Sequence, residues 1–261
     1  MHNNEPVIQV KNLSVDRSGA KVIEDAEFTI HKGDYVGVVG PNGGGKTSLL
    51  KSILGILPRK TGEIRIFGEP INSFNQWSRL AFVSQDSINF DINFPMSVRE
   101  LISLGRISRK NIARPLSKID WAKVDEALEF MGLNQVAERR IGQLSGGQRQ
   151  RVFVAKAMVR NPEILILDEP VSGIDAEAQE KFYMRLGNLN KMRGTTILIV
   201  SHDLASVFCR MSHVISVNKR VYFSEIRPDA DPNEVLQKAY GDHFHFIFHE
   251  HVCEGIFDDE L

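Results

Sequence analysis

Tyr35-Val36-Gly37-Val38-Val39-Gly40-Pro41-Asn42-Gly43-Gly44-Gly45-Lys46-Thr47-Ser48-Leu49-Leu50-Lys51-Ser52-Ile53-Leu54 is the stretch that decides the fold. Residues 35–39 are apolar and β-rich, and residues 48–54 carry apolar positions at helical spacing. A glycine loop joins them, with Gly40, Gly45, Lys46 and Thr47 in the register of a Walker A phosphate-binding loop. Each residue type has its own reason. Glycines let successive backbone N–H groups converge on one anion. A helix opening near Lys46 adds unpaired N–H groups and its positive dipole end. Lys46 is suited to the β- and γ-phosphates, and the Thr47 hydroxyl is a hard oxygen ligand for Mg²⁺. Gly40, Pro41, Asn42, Gly43, Gly44, Gly45, Lys46, Thr47 and Ser48 are therefore the expected nucleotide contacts.

Further along, Ile164-Leu165-Ile166-Leu167-Asp168-Glu169 is an unbroken apolar run ending in two carboxylates. Such a run suits a central parallel strand covered on both faces, and ligands sit at the C-terminal ends of those strands. Asp168 is expected to hold the Mg²⁺ shell, and Glu169 to be the general base for an attacking water. Leu144-Ser145-Gly146-Gly147-Gln148 precedes Arg149–Arg160, whose apolar positions predict a mainly buried helix. Ser145 reads as its N-cap, which makes this a second anion-binding helix end. One Walker A loop with two anion sites points to a dimer in which each nucleotide is shared.

Taken together, these motifs resemble the ATP-binding cassette (ABC) ATPases over about residues 7–225. The resemblance implies roles for further positions. Gln85 matches the Q-loop glutamine, a catalytic-site residue and further Mg²⁺ ligand beside Thr47 and Asp168. Ser145, Gly146, Gly147 and Gln148 match the signature that covers the partner's nucleotide. Ser172-Gly173-Ile174-Asp175 matches the D-loop, and His202 matches the switch histidine that contacts the γ-phosphate and the attacking water. The family works as a head-to-tail homodimer with two shared ATP sites. Its usual adenine-stacking aromatic is missing from residues 15–23. Either Arg17 stacks its guanidinium on the base and Val22 packs beside it, or Arg17 is a solvated turn residue.

The resemblance implies an α/β fold. Its P-loop NTPase core is a mainly parallel sheet with flanking helices, an N-terminal antiparallel β part and an inserted helical subdomain. Strand signals at Val7–Val10, Ala26–Ile30, Gly62–Gly68, Leu80–Ser84, Ile164–Leu167, Thr195–Val200, Val214–Val217 and Val221–Phe223 agree with it. Between about 86 and 160 helical windows replace strands, at Ser97–Leu104 and Trp121–Met131, and Ala176–Lys191 reads as a long helix. The expected organisation is one ABC ATPase domain over 1–241, with a helical subdomain at about 86–160 and a tail at 242–261.

Bulk properties narrow the class. The 261 residues are 42% hydrophobic and 25% charged with a net charge of −1, an ordinary globular composition without the basic field of a nucleic-acid binder. The cysteines, Cys209 and Cys253, form no disulfide framework and suit a reducing compartment. No signal peptide is legible, and no apolar run approaches the ~20 residues that span a bilayer. A lone cassette of this kind resembles an importer subunit docked on separate integral permease chains. That implies a peripheral place on the cytoplasmic face of the inner membrane, and indirect work with an extracytoplasmic metal-binding protein.

Asp86–Pro95, Ser97-Val98-Arg99-Glu100 and the triple glycine before Lys46 resemble zinc- and manganese-type metal importers, with iron–siderophore cassettes as near relatives. The tail, His243-Phe244-His245-Phe246-Ile247-Phe248-His249-Glu250-His251-Val252-Cys253, alternates with period two. If extended, it sets His243, His245, His249, His251 and Cys253 on one face, ligands that suit Zn²⁺ better than Mn²⁺. The plainer alternative is a strand that packs its phenylalanines and solvates its histidines. The expected function is ATP hydrolysis coupled to uptake of a divalent metal, zinc first, with manganese or iron chelate as alternatives. A soluble cassette in DNA repair or translation usually carries two cassettes or a long coiled coil. Glu169 and His202 argue against a non-hydrolytic, metal-responsive module.

Overall fold

The computed structural model describes residues 5–88, 94–108, 111–112, 114–171, 175–227 and 231–241. Its strands and helices follow in the order β1 (Pro6–Arg17), β2 (Ala20–His31), β3 (Tyr35–Val39), α1 (Lys46–Ile53), β4 (Thr61–Ile66), β5 (Glu69–Pro70) and β6 (Leu80–Val83). Next come α2 (Val98–Ser103), α3 (Lys118–Phe130), α4 (Gly146–Met158), β7 (Ile164–Asp168), α5 (Ala176–Arg193), β8 (Thr196–Val200) and α6 (Leu204–Arg210). The last are β9 (His213–Asn218), β10 (Arg220–Glu225) and α7 (Pro232–Tyr240). The chain forms two compact units, residues 1–75 with 189–261, and residues 76–188.

The first unit holds two sheets. An antiparallel sheet runs in the order β2-β1-β4-β5. A second set of strands runs β10-β9-β3-β8, with β9, β3 and β8 parallel and β10 antiparallel at the edge. All five residues of β3 and all five of β8 are buried. Each buried Val, Leu or Ile there contributes roughly 1.5–3 kcal/mol. Helix α6 covers β3 so closely that a Cβ on Gly37 would lie 2.6 Å from a Val207 methyl.

β1 and β2 are much longer than the runs Val7–Val10 and Ala26–Ile30 suggest. Their hairpin turns at Ser18 and Gly19, both at positive φ (51° and 79°), the backbone of a tight hairpin turn. Register shifts interrupt the pairing between Val10 and Leu13 and between Leu13 and Val15. Each shift resets the inside-outside alternation, so only short clean stretches are legible as strands.

In the second unit β6 and β7 pair in parallel from Leu80↔Ile164 to Val83↔Leu167. Arg79 clamps the pair's start, donating from Nε and Nη2 to the two Glu163 carboxylate oxygens at 2.6 and 2.9 Å. Helices α2, α3 and α4 pack on one another, and α4 lies on β6. All three begin with a Ser whose hydroxyl accepts from the third helical residue while that residue's side chain accepts from the Ser N–H: Ser97/Glu100, Ser117/Asp120 and Ser145/Gln148. The Ser117 cap starts α3 ahead of the window beginning at Trp121. Helix α7 lies in a stretch where the sequence reading placed no element. Asp231 accepts from Asn233 N–H at 2.8 Å, Pro232 opens the helix, and Val235, Leu236 and Ala239 are buried.

Candidate functional site

The phosphate loop belongs wholly to the first unit. β3 ends at Val39, the chain turns through Gly40–Gly45, and α1 begins at Lys46 with Gly45 (φ 110°) as its N-cap. Three of the glycines are dictated by the protein's own backbone. A Cβ on Gly40 would lie 2.0 Å from Val217 O, one on Gly44 2.7 Å from the same oxygen, and one on Gly45 2.6 Å from Val22 O. Val217 and Val22 thus wall the loop from two sides, and Lys219 N–H donates to Gly44 O at 3.0 Å. Gly43 differs: a Cβ there meets nothing within 4 Å. It faces open space.

Lys46 is 6% exposed. Its Nζ donates to Gly40 O at 2.9 Å and Pro41 O at 3.1 Å. The ammonium is folded into its own loop, held by neutral carbonyls that a phosphate oxygen would outcompete. Thr47 is partly exposed and Ser48 buried on the first turn of α1, while Asn42 is exposed. Arg17 stands exposed at the end of β1, its side chain without a hydrogen bond or ion pair among the described residues. The structure brings the Val22 backbone to the loop and gives no contact that joins Arg17 to it. His202 is exposed just beyond β8, between the buried Ser201 and the half-buried Asp203. Asp203 caps α6 by accepting Ser206 N–H at 3.1 Å.

In the second unit, Asp168 ends β7 and is 1% exposed. Glu169 follows with φ 50°. That left-handed backbone costs a residue bearing a Cβ about 1–2 kcal/mol, and strain of this kind gathers at functional turns. Gln85 Nε2 donates to Glu169 Oε2 at 2.9 Å, which ties the second residue beyond β6 to the residue after β7. Asp175 accepts Ala178 N–H at 2.9 Å at the start of α5. Ser172, Gly173, Ile174, residues 89–93 and the whole tail with His243, His245, His249, His251 and Cys253 lie outside the described residues.

The signature stretch is the other helix end. Ser145 Oγ accepts Gln148 N–H at 3.3 Å, and Gln148 Oε1 accepts Ser145 N–H at 3.0 Å. A Cβ on Gly146 would touch nothing within 4 Å. Elsewhere in this unit, a cavity of about 530 Å³ is lined by Phe82, Asp86, Leu104, Phe153, Lys156 and Arg160 among others. Burial holds the Lys156 ammonium below the ordinary lysine range.

This donor set fits a nucleoside triphosphate with Mg²⁺. The first unit alone offers loop amides at a helix N-terminus, a buried ammonium with exchangeable partners, and the Thr47 hydroxyl for a hard cation. Residues 23–172 match the family described as ABC transporter. The chain belongs to the ABC transporter family. It carries that family's ATPase domain. The zinc uptake system ATP-binding protein ZurA of Listeria innocua is 42% identical over 217 residues, 83% of this chain and 84% of that one. The zinc transport system ATP-binding protein TroB of Treponema pallidum is 37% identical, covering 90% and 86%. The manganese transport system ATP-binding protein MntB of Bacillus subtilis is 33% identical, covering 95% and 98%. Among solved structures, a metal-chelate type ABC transporter in an inward-facing conformation aligns with a TM-score of 0.77 at 26% identity, covering 90% of this ABC ATPase and 89% of that chain.

Proposed function

We propose that this ATPase couples ATP hydrolysis to uptake of a divalent metal ion, with zinc as cargo, as a subunit beneath integral membrane permease chains. The observation that carries the cargo is the 42% identity to a zinc uptake protein, against 33% for a manganese one. The imidazoles in the tail sequence favour the same metal. Among the described residues no helix is long and apolar enough to cross a membrane, so the translocation path would belong to those partners. A metal-binding protein outside the membrane would deliver the ion. The apolar and cationic groove around Phe82, Phe153 and Lys156 would seat a permease segment, making the helical stretch at about 86–160 the permease-facing part of one domain over 1–241.

In this reading ATP lies between the phosphate loop of one subunit and Ser145–Gln148 of a second copy. Lys46 leaves the Gly40 and Pro41 carbonyls for the phosphates. Thr47, Asp168 and Gln85 would hold Mg²⁺, which would supply positive charge against the phosphates. Glu169 takes the proton of the attacking water, and His202 orients that water against the γ-phosphate. Gln85 Nε2 donates to the Glu169 carboxylate at 2.9 Å, which sets the residue proposed for Mg²⁺ beside the residue proposed as general base.

Radiolabelled zinc uptake, with manganese and iron chelate as competitors, tests the proposal in vesicles containing the chain and its permease. Zinc uptake should depend on ATP, and Glu169→Gln should lower it about 10²–10⁴-fold, the usual worth of a general base. ATP-driven manganese uptake with no zinc uptake would contradict the cargo. Zinc binding by the tail is a separate reading carried by its alternation. Changing His243, His245, His249 and His251 to Ala should lower the zinc stoichiometry of the purified chain, and an unchanged stoichiometry would refute it.

A further inference from the structure

The N–H of Gly40 has no place in the sheet. β3 pairs with β8 as far as Val38↔Val200 and with β9 as far as Val39↔Ser216, so Gly40 lies one residue beyond both ladders. It is buried, where an unpaired N–H is costly. Its φ of 146° and the Val217 carbonyl against its Cα admit only glycine, so no side chain of its own helps. The acceptor comes from 200 residues away: Gly40 N–H donates to Tyr240 Oη at 3.0 Å. On its other side the Gly40 carbonyl accepts Lys46 Nζ at 2.9 Å. One residue therefore links the phenol to the ammonium that meets the phosphates.

Tyr240 is the last residue of α7, and that helix is fixed to the strand that backs the loop. Ser216 Oγ donates to Val235 O at 3.2 Å, and Asn218 Nδ2 donates to Ala239 O at 2.9 Å. Ser216 and Asn218 flank Val217, whose carbonyl walls Gly40 and Gly44. Helix and loop are thus built on the same three residues of β9. Burial raises the Tyr240 phenol above its ordinary range while the Gly40 N–H pulls it back, so it stays neutral at physiological pH.

We propose that Tyr240 is a positioning residue for the phosphate loop, and that its hydroxyl sets nucleotide affinity by holding Gly40. It touches no reacting atom, so its effect falls on binding rather than on turnover. Losing it should weaken Mg-ATP binding about 3- to 10-fold, the worth of one net hydrogen bond, with kcat at saturating ATP within about 2-fold. The test uses the full chain and a fluorescent ATP analogue, with Tyr240→Phe, which keeps the ring, and Ser216→Ala, which loosens α7 but leaves the Gly40 contact. Hydrogen exchange at the Gly40 amide, read by NMR on glycine-labelled protein, reports the bond directly. Faster Gly40 exchange and a 3- to 10-fold higher Kd in Tyr240→Phe, with Kd unchanged in Ser216→Ala, is the expected result. An unchanged Kd in Tyr240→Phe would overturn the proposal. So would an equal rise in both variants, which would make α7 a structural brace only.

Discussion

The protein opens two helices with glycine-rich, anion-suited ends, and the two are built differently. At α1 the loop is pressed between the Val217 and Val22 carbonyls, and its ammonium is buried in the loop itself. At α4 the Ser145 and Gln148 side chains satisfy their own helix end, Gly146 faces empty space, and Ser145, Gly146 and Gly147 carry no charge. The first end is complete: it has the charge and the enclosure that hold a phosphate within one unit. The second offers an uncluttered surface and a backbone dipole, worth about 0.3–1 kcal/mol toward an anion when exposed, and the Arg149 guanidinium of its first turn is engaged with Leu144 O at 2.8 Å. It is suited to receive a phosphate that something else already holds.

Substitutions at the two ends should separate accordingly. The largest effect is expected for Lys46→Ala. Without its charge-assisted contacts, Mg-ATP binding by the isolated chain should fall about 100-fold or more in an equilibrium titration. Gly146→Asp should leave that binding within about 3-fold, because a side chain fits at Gly146 and the loop of α1 is untouched. It should still remove most ATPase activity, since its carboxylate would oppose the γ-phosphate of the proposed shared site. Equal loss of monomeric affinity in both variants would break the comparison. Within the first end, Gly40→Ala should cost on the order of 2–3 kcal/mol, because its Cβ meets a backbone carbonyl that cannot give. For a chain of this size that is a drop in Tm of roughly 5–10 °C. The smallest effect is expected at Gly43→Ala. It adds only the strain of a positive φ, about 1 kcal/mol, and should shift Tm by about 2–4 °C.

Much of the fold is legible in the sequence where one physical signal dominates. The unbroken apolar runs within β3, β7 and β8 declare buried parallel strands, and the α1 loop declares itself by residue type and spacing. What escapes notice depends on partners distant in sequence. The bulged length of β1 and β2 hides behind register shifts at Val10 and Leu13. Helix α7 carried a readable start, Asp231-Pro232, and an apolar stripe at Val235, Leu236 and Ala239, but Tyr240 lies far from the residue it serves. The loop glycines look like ligand clearances, yet Gly40, Gly44 and Gly45 are required by carbonyls of β9 and β2. No local pattern encodes those carbonyls. The Gln85–Glu169 contact likewise joins two strand ends 84 residues apart.

The central claim is that the complete end of one subunit works with the receptive end of another. Mixed dimers test it most directly. One tagged subunit carries Lys46→Ala, its partner carries Gly146→Asp, and both carry Glu169→Gln so that ATP is retained. With head-to-tail sites, one site of the mixed dimer collects both defects and the other is intact. The expected result is one ATP retained per mixed dimer after gel filtration, and none in either parent homodimer. If each subunit built its site alone, both sites of the mixed dimer would be damaged, and no retained ATP would contradict the account.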